Sequence, residues 1–257
     1  MPPISATIIT LNEEQSLPRA LASLTCADEI LVVDAGSSDG TREFAARHGA
    51  RVLDHPWEGY SAQKNFAAAQ ACHDWILSLD ADEALGPELQ TALTEWKKSP
   101  PEADGYRIAR RAFYMGRWIN HSGWYPDRKL RLYRRDKGRW TGAIHESVVV
   151  EGQVADLAGD FHNYTHASLS EHLQQLDLFT TLAARDLYSR GQRASWSNLL
   201  LAPPATFLKS FLFQQGFRDG VHGFLIANLA ALNVFIKEAK LWTLAHGGTL
   251  PEPGRVK

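Results

Sequence analysis

Cysteine is nearly absent. Cys26 and Cys72 are the only two in 257 residues, and their separation fits neither a disulfide framework nor a metal-binding pair. A reducing compartment is the simple reading. The N-terminus, MPPISATIITLNEE, lacks a basic stretch and meets acidic residues too early for a secretory signal. Long hydrophobic runs are missing as well. The longest stretch without Asp, Glu, Lys or Arg near the C-terminus lies between Asp219 and Lys237. Its 17 residues barely reach the length needed to cross a bilayer, and they include His222, Asn228 and Asn233. No repeat recurs at a fixed period and no segment is low in complexity, which excludes solenoids and disordered arrays. No glycine follows the first apolar run, where LNEEQSL stands. A glycine-rich phosphate loop of the nucleotidyltransferase kind is therefore disfavoured.

What is present is an ordinary globular composition, 44% hydrophobic and 22% charged, with the charge unevenly spread. Residues 1–106 hold 17 acids against 7 bases, a net of −10. Residues 107–139 hold 11 bases against Asp127 and Asp136, a net of +9. An acidic region suited to a cation thus adjoins a basic one suited to phosphate groups or anionic lipid. The plainer alternative is a solvated charged face. The basic segment matches no nucleic-acid-binding module, so no nucleic-acid partner is expected.

The first hundred residues alternate apolar and amphipathic stretches. SATIIT, EILVVDA, ARVLDH and DWILSLDAD read as strands. EEQSLPRALASL, TREFAARHG, SAQKNFAAAQAC and PELQTALTEWKK read as helices. Gly49 is a C-cap candidate, Ser61 an N-cap candidate and Pro87 sits near N1. Alternation at this spacing predicts βαβ units and a mostly parallel sheet flanked by helices, with ligands beyond the carboxyl ends of the strands. Three polar loops fall there: TLNEE, DAGSSDGT and DADE.

Residues 105–150 are aromatic-rich with hairpin-like spacing, and read as a β-ribbon packed on the sheet. From about 168 the chain turns helical, with Leu169, Leu173, Leu176, Thr180, Ala183 and Leu187 on one predicted face. The expected division is a nucleotide-binding and catalytic region over 1–165 and a helical C-terminal region over 166–257. Aromatic and basic flanks around the last apolar stretch fit either a helix lying in a membrane interface or one packed on the protein body.

LDADE, residues 79–83, carries three carboxylates at the end of an apolar strand. In an extended segment Asp80 and Asp82 share a side. Hard oxygen ligands of this kind suit Mg²⁺ or Mn²⁺. Glu83 reads as support, or as the acidic opening of the next helix.

TIITLNEEQSLPRALASL, EILVVDAGSSDGT and WILSLDADE together resemble the inverting family 2 glycosyltransferases of the GT-A type. WTGAIHESV and the GFRDGVHGF tail resemble, more narrowly, the WaaE/LgtF-like lipopolysaccharide core β-1,4-glucosyltransferases. The resemblance implies a nucleotide-sugar donor, with UDP-glucose the first expectation, and a lipopolysaccharide inner-core or similar glycolipid acceptor. It implies that Thr10, Asn12 and Glu13 bind the nucleotide and that Asp34 hydrogen-bonds the base. The chain has Ala35 where many relatives carry a second Asp. Asp80-Ala81-Asp82 matches the DXD motif, with Asp82 as metal ligand and Asp80 as a ribose or water-mediated partner. Lys64 resembles a basic position near the diphosphate.

Inverting transfer needs a base to deprotonate the acceptor hydroxyl. Glu146 matches the family's HE position, with His145 and Asp127 as rivals. The resemblance also makes His162 a candidate third metal ligand, since some relatives place a histidine after the base. The i,i+4 pair His162 and His166 lacks a helix start signal for a zinc site. Arg128 and Arg131 are candidates for phosphate groups, which guanidinium forks match. Trp118, Trp124 and Trp140 suit either sugar stacking or packing. Two other readings stay open, a polyprenyl-phosphate sugar transferase and a non-catalytic nucleotide-binding protein. A cytoplasmic chain held peripherally at the inner face of the cytoplasmic membrane is the expected location.

Overall fold

The computed structural model describes residues 1–142 and 146–251. The order begins with β1 (Ile4–Thr10), α1 (Leu17–Ser23), β2 (Glu29–Asp34), α2 (Thr41–Arg47), β3 (Arg51–Asp54), α3 (Tyr60–Gln70), β4 (Trp75–Asp80), β5 (Glu83–Leu85) and α4 (Pro87–Trp96). Next come β6 (Gly105–Tyr114), β7 (Arg117–Trp118), β8 (Asp127–Arg134), β9 (Gly138–Thr141), β10 (Ser147–Val150) and β11 (Val154–His166). Helices follow: α5 (Leu169–Ser189), α6 (Trp196–Leu200), α7 (Ala202–Leu208), a π-turn (Lys209–Phe213), a 3-10 turn (Gly216–Asp219) and α8 (Val221–Ala245).

The chain forms two compact units. One comprises residues 1–111 and 127–164, the other 112–126 and 165–257. Residues 112–126 therefore pack with the C-terminal helices, where the sequence had grouped them with the first region.

In the first unit, β3, β2, β1 and β4 lie side by side and parallel. β1 is buried on both faces, as its β-branched composition requires of a central parallel strand. Register aligns the carboxyl ends, with Thr10 beside Asp34, Ile9 beside Asp80, and Asp34 beside Asp54. The sheet continues from β4 through β8, β6 and β11 to β5, with the β4–β8, β8–β6 and β11–β5 pairs antiparallel. The aromatic segment is thus mostly an extension of the main sheet. A separate ribbon is confined to β9 and β10. Ile4, Ile8, Leu17, Leu77, Leu79 and Leu89 centre the core on one side of this sheet.

α3 starts one residue before Ser61, with Gly59 at the cap position and φ +103°, so Ser61 caps nothing and its hydroxyl donates to the Gly142 carbonyl. α5 buries Leu176, Thr180, Thr181 and Ala184, while Leu169 and Leu173 are exposed. The buried face is thus rotated from the expected leucine stripe. Among the described residues no helix is long and apolar enough to cross a membrane.

Candidate active site

Two loops at the carboxyl ends of β1 and β2 are sewn together. Asn12 takes a left-handed backbone, φ +58°, which Asn tolerates through its short polar side chain. Its N–H donates to Ser37 Oγ at 2.8 Å, and its side-chain oxygen accepts from the Ser38 N–H at 2.8 Å. Glu13 N–H donates to Thr41 Oγ1 at 2.8 Å, and the Gly40 N–H donates to Glu14 at 3.1 Å. Asn12 is therefore not a cap for α1, which begins five residues later.

Asp34 anchors this knot. It is fully buried, and its carboxylate accepts from Thr10 Oγ1, the Gly36 and Ser37 N–H groups and the Ser37 hydroxyl. The expected contact from Asp34 to a base is therefore not open, because its acceptor sites are filled by the protein. Thr10 is likewise buried and serves the same anchor.

The acidic edge of β4 is organised by two cations. Lys64, on α3 and only 2% exposed, donates to Asp80 Oδ1 at 2.7 Å and to Glu146 Oε1 at 2.9 Å. Its ammonium also lies 4.4 Å from the centre of the Trp140 ring, a cation–π contact. Arg131, on β8, donates to Asp80 Oδ2 and Glu83 Oε1, both at 3.0 Å. The structure thus brings Lys64, Asp80 and Glu146 together, three residues the sequence assigned to one site. Burial alone would raise the Asp80 carboxyl; the Lys64 ammonium and the Arg131 guanidinium outweigh it and hold it well below the usual range.

Asp82 has the opposite surroundings. Burial, then the Glu83, Asp80 and Glu13 carboxylates, push its carboxyl up to about 7. Among the described residues its carboxylate has no cationic partner. A hard dication placed there would reverse the like-charge repulsion, so Asp82 fits one ligand of Mg²⁺ or Mn²⁺. No group of three or more His, Cys, Asp or Glu able to hold a metal occurs among the described residues. Further ligands would have to come from the donor or from water.

Several expectations are revised. Glu83 opens β5 and is buried against Arg131, rather than opening a helix; α4 begins only at Pro87. Arg131 is itself buried, so its guanidinium holds carboxylates and is not an open phosphate clamp. Arg128 is exposed and lies 3.6 Å from Asp156, with which it pairs. His162 pairs with Ala84 in the β11–β5 ladder, whereas its neighbour Asn163 is opposite Glu83. Alternation sends His162 to the other face, where a Cβ on Gly86 would lie 2.8 Å from its Nε2. Tyr164 reaches the loop instead, its N–H donating to the Asp82 carbonyl at 3.1 Å. His166 stacks on His172 at 4.5 Å in the second unit, so HNYTH is strand, not a zinc helix. Asp127 pairs with Arg110 at 2.8 Å and is committed there. His145 lies outside the described residues.

The basic segment is largely neutralised: at least seven of its eleven bases make ion pairs with acids. The tryptophans pack. Trp140 donates to Tyr133 at 2.9 Å, Trp118 lies against Phe113 and Trp124 against Tyr114.

Tyr60 was not singled out by the sequence. Burial, then the Glu146, Asp80, Asp82 and Glu13 carboxylates, raise its hydroxyl above the usual tyrosine range. Tyr60 and Lys64 are four apart on α3, a spacing that places both on one face.

Residues 5–150 match the family described as glycosyl transferase family 2. The chain belongs to that family. A curated relative agrees over the whole length. The lipopolysaccharide core biosynthesis glycosyltransferase LpsC of Rhizobium meliloti is 34% identical over 248 residues, 93% of this chain and 92% of that protein. A glycosyltransferase of Rickettsia typhi is 32% identical over 261 residues, 95% and 88% of the two chains. Among solved structures, Staphylococcus aureus TarS in complex with UDP-GlcNAc is similar at a TM-score of 0.47 and 15% identity, over 96% of this chain and 92% of that one. Glucosyl-3-phosphoglycerate synthase from Mycobacterium tuberculosis, with Mn²⁺, UDP-glucose and phosphoglyceric acid, gives a TM-score of 0.36 at 24% identity over 45% of each chain. As a family 2 glycosyltransferase the chain is an enzyme of group transfer. Its sheet is flanked by helices and carries the DXD segment at the end of β4, but its β4–β8, β8–β6 and β11–β5 pairs are antiparallel, where the sequence predicted a mostly parallel sheet.

Proposed function

We propose that this family 2 glycosyltransferase is cation-dependent and inverting, and that it moves a hexose from a UDP-sugar, glucose being the first candidate, to a lipopolysaccharide core or similar glycolipid. The observation that carries the reading is the Lys64 bridge between Asp80 of the DXD segment and Glu146. It joins a donor-side carboxylate to a potential base through one buried ammonium. The acceptor class rests on the relative LpsC, whose name places it in lipopolysaccharide core biosynthesis.

In this reading Asn12 and Glu13 face the nucleoside and Asp80 the ribose. Lys64, buried between Asp80 and Glu146, holds these two carboxylates in place rather than meeting the diphosphate directly. Asp82 would hold the divalent cation, which supplies charge neutralisation to the leaving diphosphate when bound. Glu146 takes the proton from the acceptor hydroxyl as that oxygen bonds to the anomeric carbon. The bond from that carbon to the diphosphate oxygen breaks on the opposite face, inverting the configuration.

Glu146→Gln tests the base. The expected result is loss of sugar transfer with UDP binding by calorimetry unchanged. Full transfer by this variant would exclude Glu146 as base and favour a phosphate acceptor that needs none. Analysis of the glycolipid from a strain lacking the gene names the sugar, because the missing residue is the product.

A further inference from the structure

The second unit carries an apolar surface that its own packing leaves uncovered. Trp196 is 72% exposed, Leu200 60%, Leu201 66%, Phe213 82% and Val221 70%. These belong to α6, the Leu201 cap that follows it, the π-turn and the start of α8, all within 26 residues of chain. The surface is continuous at its centre. Phe211 lies 5.4 Å from Phe207, 6.3 Å from Phe217 and 5.8 Å from Phe224, ring centre to ring centre.

This surface is fixed, not frayed. Ser122 N–H donates to the Gln214 carbonyl at 2.9 Å, and Ser210 Oγ donates to the Ser122 carbonyl at 3.2 Å. α8 meets the 3-10 turn so closely that a Cβ on Gly223 would lie 1.8 Å from the Gly216 carbonyl oxygen. The π-turn is a local widening of the helix, and it puts Leu212 and Phe213 outward while Ser210 stays buried.

Charge identifies what this surface fits. From 187 to 218 there is no Asp or Glu. Arg190 is matched by Asp186, but Arg193, Lys209 and Arg218 have no acidic partner among the described residues. The first acid beyond, Asp219, is buried and accepts from the Asn120 and His121 N–H groups and from His121 Nδ1. Exposed large apolar side chains sharing a stretch of chain with the acid-free bases Arg193, Lys209 and Arg218 match the boundary of an anionic bilayer.

We propose that residues 196–221 form a lipid-docking surface that seats in the interface of a bilayer with anionic headgroups. The proposal deepens the glycolipid reading and rests on it only for why a bilayer would be met; the lipid contact itself is a separate physical claim. The sequence pointed to the apolar stretch of α8 with its aromatic and basic flanks, Lys209, Phe213 and Arg218 among them, and to the basic segment 107–139. Of these, the surface lies just before α8, because much of α8 is covered by α5 and α7 and the basic segment is spent on ion pairs.

Flotation of the full chain with vesicles tests this. Binding is expected to phosphatidylcholine mixed with phosphatidylglycerol, and to be weaker to phosphatidylcholine alone. Phe213→Glu with Leu200→Glu should lower binding at least about tenfold. Lys209→Gln and Arg218→Gln should each lower it about fivefold, on mixed vesicles only. The proposal is overturned if wild type does not float, if it floats equally well on both vesicle types, or if Phe213→Glu with Leu200→Glu floats as wild type does. It is also overturned if the wild type is a dimer that these substitutions dissociate, since a second copy would then cover the face. Cation-dependent UDP calorimetry on the same proteins separates the two claims. Retained UDP binding with lost flotation supports the lipid surface, and flotation without any UDP binding in wild type counts against the catalytic reading alone.

Discussion

Lys64 and Glu146 are 82 positions apart and meet at 2.9 Å, with the lysine almost fully buried. The same ammonium holds Asp80 at 2.7 Å. One side chain therefore fixes the two carboxylates whose separation governs where donor and acceptor would stand. Removing it leaves Glu146 with no counter-charge among the described residues and Asp80 with Arg131 alone.

Lys64→Met and Glu146→Gln should consequently be non-additive. Each alone is expected to lower stability by ~1–3 kcal/mol or transfer by roughly a hundredfold. The double variant should lose less than the sum, with a coupling of ~1–3 kcal/mol in urea titrations. Strict additivity would mean the pair is not a functional unit.

Asp82 destabilises the fold when ionised. Its carboxyl is raised from 3.8 to about 7, so the folded state holds that proton more tightly than the unfolded chain does. Stability then falls as pH rises through that window and stays reduced above it. Asp82→Asn should therefore be more stable than wild type by ~1–2 kcal/mol at pH 8, and indistinguishable at pH 4. Thermal melts at the two pH values decide it. The same variant should lose cation-dependent UDP binding.

Arg131 is the counter-charge for Glu83 as well as Asp80. Arg131→Met should cost ~3–5 kcal/mol, because it strands buried carboxylates. Adding Glu83→Gln should recover part of that loss. A double variant no more stable than the single one would show that the pair does not set the cost.

In the second unit, burial and then the stacked His166 hold His172 down to about 4, and the Tyr114 hydroxyl is 3.0 Å from its Nδ1. A depressed histidine is neutral in the fold while the unfolded chain takes up a proton below 6.5. Its contribution is thus present above that value and lost as pH falls toward 4. His172→Gln should flatten the acid side of the stability profile by ~1 kcal/mol between pH 6.5 and 4.5.

The parallel half of the fold was legible because its strands are β-branched apolar runs separated by periodic helices, as in β1 and α4. The acidic end of β4 was legible from residue type, while Lys64 entered only through the family resemblance. What escaped was direction and pairing. Arg131 sits in a run of bases that reads as solvated, and only the β8–β4 pairing buries it beside Asp80. His162 was a candidate ligand by family resemblance, but strand alternation opposite Ala84 turns it away. Asp34 kept its place at the strand end, yet Ser37 and Thr10 use up its oxygens. Tyr60 had a usable signal in its i,i+4 relation to Lys64. The turn before α8 showed as an aromatic and basic flank, but which of its apolar residues lie outside depends on how α5 and α7 cover α8.

The hydrogen bonds that join Asn12, Glu13 and Glu14 to Ser37, Ser38, Gly40 and Thr41 have a consequence for turnover. Fixing a flexible residue costs about 1–2 kcal/mol of conformational entropy, and here that cost is met once, during folding. A nucleotide would enter a socket already set, so affinity lost elsewhere need not be made up by ordering these loops. The same stitching makes them one mechanical part: disturbing either loop releases the other.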